Sequence, residues 1–377
     1  MEITFAHTSD LHIGAKCRGI GAKGEIRKHE ILNTFLNILR ICTEENVDIL
    51  FIAGDLFDDV EAVSEQDIKA LKQAISVSNF KVVISPGNHD PFTPDSPYFS
   101  TWPDNVWIFK NDKLEFIEFS DLKLRVWGHA FKSAYEKKHL LCGIKVPNDD
   151  FMNIGVMHGN LSNIDESVYC PVLLSEVQRS GLNYLALGHI HKRSKLNSIG
   201  NTYYSYCGCP EGTGFDETGE KGFYIGRMSN DFLRLEFKPC SKRNYEILKV
   251  DVTDAESDFE IYNLILEKIK KNYKEKYMNN IYRIILTGEV SEYYFINTSK
   301  IETYLSDFVF FVSVLDNTET KIDIKNLEFR NDFKSIFIKK MMLKIDTSAD
   351  DSERYVNKEA LKIGLKAFSE EVKYIDN

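Results

Sequence analysis

Five short polar motifs, each closing an apolar run, constrain this chain more than any other feature. They are Asp10-Leu11-His12, Gly54-Asp55, Gly87-Asn88-His89-Asp90, His158-Gly159 and Gly188-His189-Ile190-His191. The runs before them, residues 3–8, 48–53, 80–84, 153–157 and 184–187, are short, rich in β-branched residues and nearly continuous in apolar character. Such runs suit strands buried on both faces. Between the first three, residues 25–45 place Ile31, Phe35, Leu36, Ile38 and Leu39 at helical spacing. Ser64-Glu65-Gln66-Asp67 has the form of a capping box ahead of Ile68, Leu71 and Ile75. Strand, helix, strand, helix, strand argues for a sheet covered by helices. Ligands in such folds gather beyond the carboxyl ends of the strands. Oxygen and imidazole donors delivered there by several strands are what a two-metal hydrolase requires.

The rest of the chain bounds its organisation. At 377 residues it is long enough for two domains and a sizeable core. It has no long apolar span and no basic, apolar leader, so a cytoplasmic protein without a membrane partner is expected. Seven cysteines without framework spacing fit reduced thiols. Cys207-Gly208-Cys209 is the one close pair, weak as a metal motif and better read as loop packing. A net charge of −10 weighs against broad electrostatic binding of nucleic acid. A local patch can still serve. Lys16-Cys17-Arg18 with Lys23, Lys192-Arg193, and Lys268-Ile269-Lys270-Lys271 with Lys274 and Lys276 are candidates, each equally readable as solvated charge. Strand-like residues 202–206, 222–226 and 232–237 are expected to form a second sheet packing on the first. A boundary falls near Ser241-Lys242-Arg243-Asn244. Beyond it the pattern predicts strands over 245–252, 281–286 and 309–314, and helices over 256–277 and 299–306. The longer helix would present Phe259, Tyr262, Leu266 and Ile269 on one face. Residues 346–352 read as a polar, acidic linker. Residues 353–374 follow as a helix with Leu361, Leu365, Phe368 and Val372 in one stripe. That stripe either packs on its own protein or docks on a partner.

The motif set resembles the calcineurin-like metallophosphoesterase superfamily, and within it the SbcD- and YhaO-type DNA repair nucleases. Residues 5–14 and 53–58 carry the resemblance, together with Gly208-Cys209-Pro210-Glu211-Gly212 and Glu217-Thr218-Gly219-Glu220-Lys221-Gly222. It covers residues 1–239 well and the remainder loosely. It implies a four-layer α/β/β/α sandwich over residues 1–241, a small α/β capping domain over 242–345, and a linker with a C-terminal helix over 346–377. By motif match, Asp10, His12 and His191 would hold one metal ion, and Asn88, His158 and His189 the other. Asp55 would bridge them. The resemblance favours two Mn²⁺ ions, and oxygen and nitrogen donors of this kind also suit Fe, Zn or Mg. Two divalent ions roughly 3.5–4 Å apart activate water and neutralise charge on a transferring phosphoryl group. The resemblance places His89 to protonate or stabilise the leaving oxygen, with Asp90 orienting His89. His7 reads as a packed core residue or one that supports a ligand from behind, His129 either approaches the site or has a structural or substrate-side role, and His29 and His139 read as solvated residues in helical contexts.

The function so implied is a manganese-dependent DNA exonuclease acting in DNA repair beside an SMC-like (SbcC/YhaN-type) ATPase, with a homodimer compatible. The alternative is a phosphodiesterase or phosphatase acting on a small nucleotide. A non-catalytic scaffold is a third reading, disfavoured by the intact ligand motifs. One departure concerns the loop after Cys209. Relatives often carry a basic residue there, where this chain has Thr213-Gly214.

Overall fold

The computed structural model describes residues 2–17, 19–59, 63–147, 149–162, 167–322 and 332–368. The chain divides into two compact units, Met1–Tyr245 and Glu246–Asn377. The first opens with β1 (Ile3–Thr8), α1 (Lys23–Glu44), β2 (Ile49–Ile52), α2 (Glu65–Ser76), β3 (Lys81–Ile84) and β4 (Val106–Ile108). β5 (Glu115–Phe119), β6 (Leu124–Gly128), β7 (Met152–His158), β8 (Asn160–Ser162), β9 (Pro171–Leu173) and α3 (Leu174–Ser180) follow. β10 (Tyr184–Gly188), β11 (Asn197–Ile199), β12 (Thr202–Tyr206), β13 (Gly222–Met228) and β14 (Leu233–Pro239) complete it.

This mixed α/β fold is built on two six-stranded sheets, ordered β14-β13-β1-β2-β3-β4 and β11-β12-β10-β7-β6-β5. β1, β2, β3 and β4 run parallel. Parallel neighbours need crossovers, which α1 and α2 supply for the first three strands. Ser64 caps α2 by accepting from Asp67 N at 3.1 Å, as its sequence suggests. The two sheets face each other across one core. Phe5, Ile49, Phe51 and Val83 from one meet Val126, Ile154, Val156, Tyr184 and Ala186 from the other. The alternate residues Met157, Leu185 and Leu187 point the opposite way and pack with Val177 of α3. That alternation follows from the period of two along a strand. The strands expected to make up a second sheet are in fact shared out. β13 pairs antiparallel with β1 and β14 with β13, extending the first sheet, whereas β12 joins β10 in the second. A run of strand-like segments says nothing about which sheet each one enters.

Register brings the motifs to one rim. Thr8, Ile52 and Ile84 stand level across β1, β2 and β3. Gly188 of β10 stands beside His158 of β7.

The second unit holds β15 (Tyr245–Asp251), α4 (Asp258–Tyr273), β16 (Ile281–Thr287), β17 (Glu289–Ser291), α5 (Thr298–Leu305), β18 (Phe311–Asp316) and β19 (Glu319–Lys321). Two further helices follow, α6 (Phe333–Asp346) and α7 (Asp351–Phe368). β15, β16 and β18 form a three-stranded sheet. Ile261, Ile265, Leu266 and Ile269 of α4 and Ile301 and Leu305 of α5 bury against it. Leu266 and Ile269 are buried and Tyr262 packs against this core, as expected, and Phe259 alone departs from the expected face. Phe259 is 61% exposed, because Ile261 and Ile265 take the sheet-facing positions.

The tail also departs from expectation. Residues 346–352 contain the end of α6 and the start of α7 rather than a linker, with only four residues between the helices. Leu361 and Leu365 are buried against Ile338 and Met341 of α6. Phe368 packs its ring on Phe333 and Phe337 at 5.8 and 5.5 Å. The stripe expected to self-pack or dock is thus occupied within the chain, and Val372 lies outside the described residues. Exposed apolar residues on these helices include Phe333, Ile336 and Leu343 of α6 and Tyr355, Val356, Ile363 and Phe368 of α7. Among the described residues no helix is long and apolar enough to cross a membrane.

Candidate metal centre

The motif residues collect where the level strands end. Asp10, His12, Asp55 and His189 all adopt positive φ, at 51, 50, 50 and 96°. Non-glycine residues rarely do so, and such strain concentrates at functional sites. Gly54 sits among them at φ +87°, and a Cβ there would lie 2.3 Å from the His158 ring. Only glycine allows the Asp55 turn to approach His158 so closely.

Among the described residues four donor groups overlap, each with its ligand atoms within 4.8 Å of one another: Asp10, His12 and His191; Asp10, Asp55 and His158; His12, Asp55 and His89; and His191, Cys209 and Glu217. Asp55 Oδ2 lies 3.2 Å from His158 Nε2 and 3.8 Å from His12 Nε2, between the two imidazoles. Asn88 Oδ1 lies 2.8 Å from His158 Nε2. The His189 ring is the outlier. It belongs to none of these groups, standing 5.1 Å from the His158 ring and tilted against the Tyr169 ring at 4.8 Å. Its backbone N–H instead donates to Asp10 Oδ1 at 3.0 Å.

Hydrogen bonds on the far side of each ring decide what the centre can hold. His158 Nδ1 faces the Ala53 carbonyl at 3.0 Å and must donate to it. His12 Nδ1 faces the Asp58 carboxylate at 3.1 Å, and His191 Nδ1 faces that of Glu217. In the neutral rings all three protons therefore sit on Nδ1, leaving lone pairs on Nε2. Those Nε2 atoms point at acceptors. His12 Nε2 is 3.1 Å from His191 Nε2, and His158 Nε2 meets the Asn88 and Asp55 oxygens. Lone pairs and carboxylates converging without a donor require cations among them. Without metal, protons fill that need. Burial opposes the charge on His12, but Asp58, Asp55 and Asp10 outweigh it and raise its pKa to about 9. Burial likewise opposes the charge on His158, and Asp55 and Asp10 again raise it to about 9. Burial resists ionisation of Asp55, yet His158 and His12 hold its pKa well below the usual carboxylate range. His189 goes the other way. Burial and then His158 lower it to about 4, so it stays neutral. The residues present fit divalent metal binding.

His89 and Asp90 part company. The His89 side chain is 47% exposed, with its ring edge-on to His12 at 4.8 Å. Its Nδ1 faces the Asp58 carbonyl at 3.0 Å, and its backbone N–H donates to Asp55 Oδ1. Asp90, in contrast, is buried and engaged elsewhere. It accepts from the backbone N–H groups of Asp55, Phe57 and Gly87 and from the Tyr98 hydroxyl. It ties the Asp55 loop to the Asn88 loop, and the part expected of it, orienting His89, is taken by the Asp58 carbonyl. Asp58 and Glu217 were not singled out from the sequence, although both lie within quoted motifs. A residue that holds a ring from behind carries no spacing signal of its own.

The remaining histidines have plain roles. His7 is buried between Tyr184 Oη and the Leu187 carbonyl, and burial lowers its pKa to about 3. His129 is buried, and neither ring nitrogen is hydrogen-bonded among the described residues. His29 is exposed on α1. His139 is not helical and faces Glu176 at 3.1 Å. Cys207 and Cys209 are buried, and Cys207 Sγ contacts Ser9 Oγ at 3.0 Å. Of the basic patches, Arg193 stacks on Phe237 at 3.6 Å, and Arg18 lies outside the described residues.

The calcineurin-like phosphoesterase family matches residues 3–193, which include every candidate ligand. The chain belongs to that family and is a metal-dependent phosphoester hydrolase. It is 27% identical over 306 residues to the uncharacterized metallophosphoesterase YhaO of Bacillus subtilis, a match spanning 78% of this chain and 73% of that protein. It is 25% identical over 308 residues to the DNA double-strand break repair protein Mre11 of Sulfurisphaera tokodaii, covering 75% of this chain and 73% of that one. A third relative, the Mre11 protein of Sulfolobus acidocaldarius, is 23% identical over 85% of this chain and 84% of its own. Shares of this size are larger than the first unit, so the likeness continues into the second.

Proposed function

We propose that this protein is a DNA phosphodiesterase, exonuclease-like, working in the cytoplasm with two Mn²⁺ ions in DNA repair beside an SMC-like ATPase. The observation that carries the metal reading is the convergence of three Nε2 lone pairs, from His12, His158 and His191, on the Asp10 and Asp55 carboxylates. Asp10, His12 and His191 would hold one ion, and Asn88, His158 and His189 the other, with Asp55 shared. His189 would have to turn its ring to take part. The DNA reading is supported by likeness to Mre11 proteins that runs beyond the catalytic unit.

When bound, the two ions supply Lewis acidity toward the phosphoryl oxygens and an activated water. The chain's own residues do the rest. Asp55, buried between the two donor sets, keeps their charges close without repulsion between bare cations. His89 donates through Nδ1 to the Asp58 carbonyl, which leaves Nε2 on the open side of the ring. Protonated there, it can deliver a proton to the leaving oxygen. Residues 242–345 would act as a capping domain on a polymeric substrate. The exposed Leu343, Tyr355, Val356 and Ile363 of the last two helices are the candidate contact for the ATPase.

The test compares linear duplex DNA, single strands, cyclic nucleotides and a simple aryl phosphodiester, each with Mn²⁺. The full chain is run beside one ending at Tyr245. Loss of DNA cleavage with retained aryl diester hydrolysis in the shortened protein supports the reading. Preference for a cyclic nucleotide, equal in both proteins, would favour the small-nucleotide alternative.

A further inference from the structure

The loop between β12 and β13, from Gly208 toward Gly222, carries two buried glutamates, Glu211 and Glu217. Glu211 accepts from Arg27 Nη2 at 2.5 Å, from Thr34 Oγ1 at 2.7 Å and from Lys242 N. Arg27 also donates to the Gly212 carbonyl at 3.1 Å. These bonds pin the first half of the loop to α1. Cys209 N donates to the His191 carbonyl at 3.2 Å, which pins the same half to the metal motif. Glu217 then comes back toward the centre. One of its oxygens accepts from His191 Nδ1, and the other from Thr213 N at 2.6 Å and Thr213 Oγ1 at 3.1 Å.

His191 is the candidate ligand that most needs such a partner. Its side chain is 33% exposed, whereas His158 is fully buried and His12 nearly so. Packing fixes the latter two rings, but a partly exposed imidazole on a loop can rotate and exchange tautomers. An acceptor behind Nδ1 removes both freedoms at once: the proton stays on Nδ1 and the Nε2 lone pair stays aimed at Asp10 and His12. A carboxylate also raises the donor strength of the ring. Thr213 fixes the carboxylate in turn.

We infer that Glu217 is a positioning residue for His191, and that the loop from Gly208 to Gly222 is a strap, anchored by Glu211, that holds one metal ligand in its binding tautomer. This rests on the two-metal reading of the centre.

The experiment is Mn²⁺ titration by calorimetry, with elemental analysis and melting of the metal-free protein, on wild type, Glu217→Gln, Glu217→Ala and His191→Ala. Glu217→Ala is expected to weaken one of the two Mn²⁺ ions by about 10–100-fold and leave the other unchanged. Its metal-free melting temperature should match wild type. Glu217→Gln keeps an acceptor behind Nδ1 and should fall between the two, and it guards against misfolding of the alanine variant. His191→Ala should lose the same ion. Wild-type affinity for both ions in Glu217→Ala, with His191→Ala defective, overturns the positioning role alone. Two tightly held ions in His191→Ala overturn the metal assignment on which it rests. Equal weakening of both ions together with a lowered melting temperature makes Glu217 a structural residue and also overturns the inference.

Discussion

Replacing Asp90 by Asn separates a structural role from a chemical one, because the two residues share a shape. Asp90 Oδ1 accepts from Gly87 N at 2.7 Å and Asp55 N at 3.2 Å, and Oδ2 from Phe57 N at 3.1 Å and Tyr98 Oη at 2.5 Å. An asparagine has one acceptor oxygen. Placed at the Oδ1 position it keeps Gly87 and Asp55 satisfied, and the Tyr98 hydroxyl can turn to accept from the new amide. Phe57 N–H is then left facing a donor. The opposite flip strands two backbone N–H groups instead of one, so the first is favoured. One buried donor without a partner costs about 1–3 kcal/mol. Part of this is offset, because burial and the neighbouring Asp55 make the charge itself unfavourable and raise the pKa of Asp90. A net loss of about 2 kcal/mol is expected, read by urea unfolding of the metal-free protein at pH 7. Metal affinity should fall, since the loops carrying Asp55 and Asn88 loosen, and turnover should recover at saturating Mn²⁺. Unchanged stability, with turnover at saturating Mn²⁺ as low as in His89→Ala, would refute this reasoning and return Asp90 to the role of orienting His89.

Four further outcomes are expected. Asp55→Ala should bind neither metal tightly, because the shared carboxylate is gone; elemental analysis finding two ions per chain would contradict the assignment. His89→Ala should keep both ions and lose about 10²–10⁴-fold in turnover, the range for a positioned acid or base, and unchanged turnover would remove His89 from the chemistry. Leu365→Ala should destabilise the α6–α7 hairpin by about 2–5 kcal/mol through its cavity, seen as faster amide exchange in both helices, whereas Ile363→Ser on the exposed face should not. His129→Phe should stabilise the protein more at pH 5 than at pH 7. Burial lowers the folded pKa of His129 to about 3 against 6.5 in the unfolded chain. The unfolded wild type thus takes up a proton that the folded form refuses, and stability falls as pH drops below 6.5. The variant escapes that loss, worth about 2 kcal/mol at pH 5, and an equal difference at both pH values in urea unfolding would count against it.

The elements of this fold were legible wherever a local pattern defines them. The apolar runs before Asp10, Asp55, Asn88, His158 and His189 are strands, and the Ser64 cap starts α2 where its side chain predicts. In the second unit the expected strands and helices fall within a few residues of their periodic segments, whereas α6 and the short strands β17 and β19 were not anticipated. What the sequence withheld was which element meets which. β13 entering the first sheet beside β1 depends on long-range pairing that no local run encodes. The same holds for α4, where Phe259 and Ile261 are both apolar and only the position of the sheet decides which is buried.

The site divides along the same line. Residues that point into the centre sit in compact motifs, because a turn at a strand end must present them, and their positive φ values record that demand. Residues that hold those side chains from behind come from distant parts of the chain. Glu217 reaches His191 from the far end of another loop, and Tyr98 reaches Asp90 from beyond the motif loop. His12 is the instructive exception, since its partner Asp58 lies three residues after Asp55, inside a motif that was already in view. A carboxylate there is explained once the His12 Nδ1 proton is traced. What the second nitrogen of each imidazole meets therefore decides which way its lone pair faces. For His12, His158 and His191 this leaves three lone pairs turned toward the same small volume, whereas His189, whose ring has no such partner among the described residues and lies tilted against Tyr169, stands outside the donor groups they form.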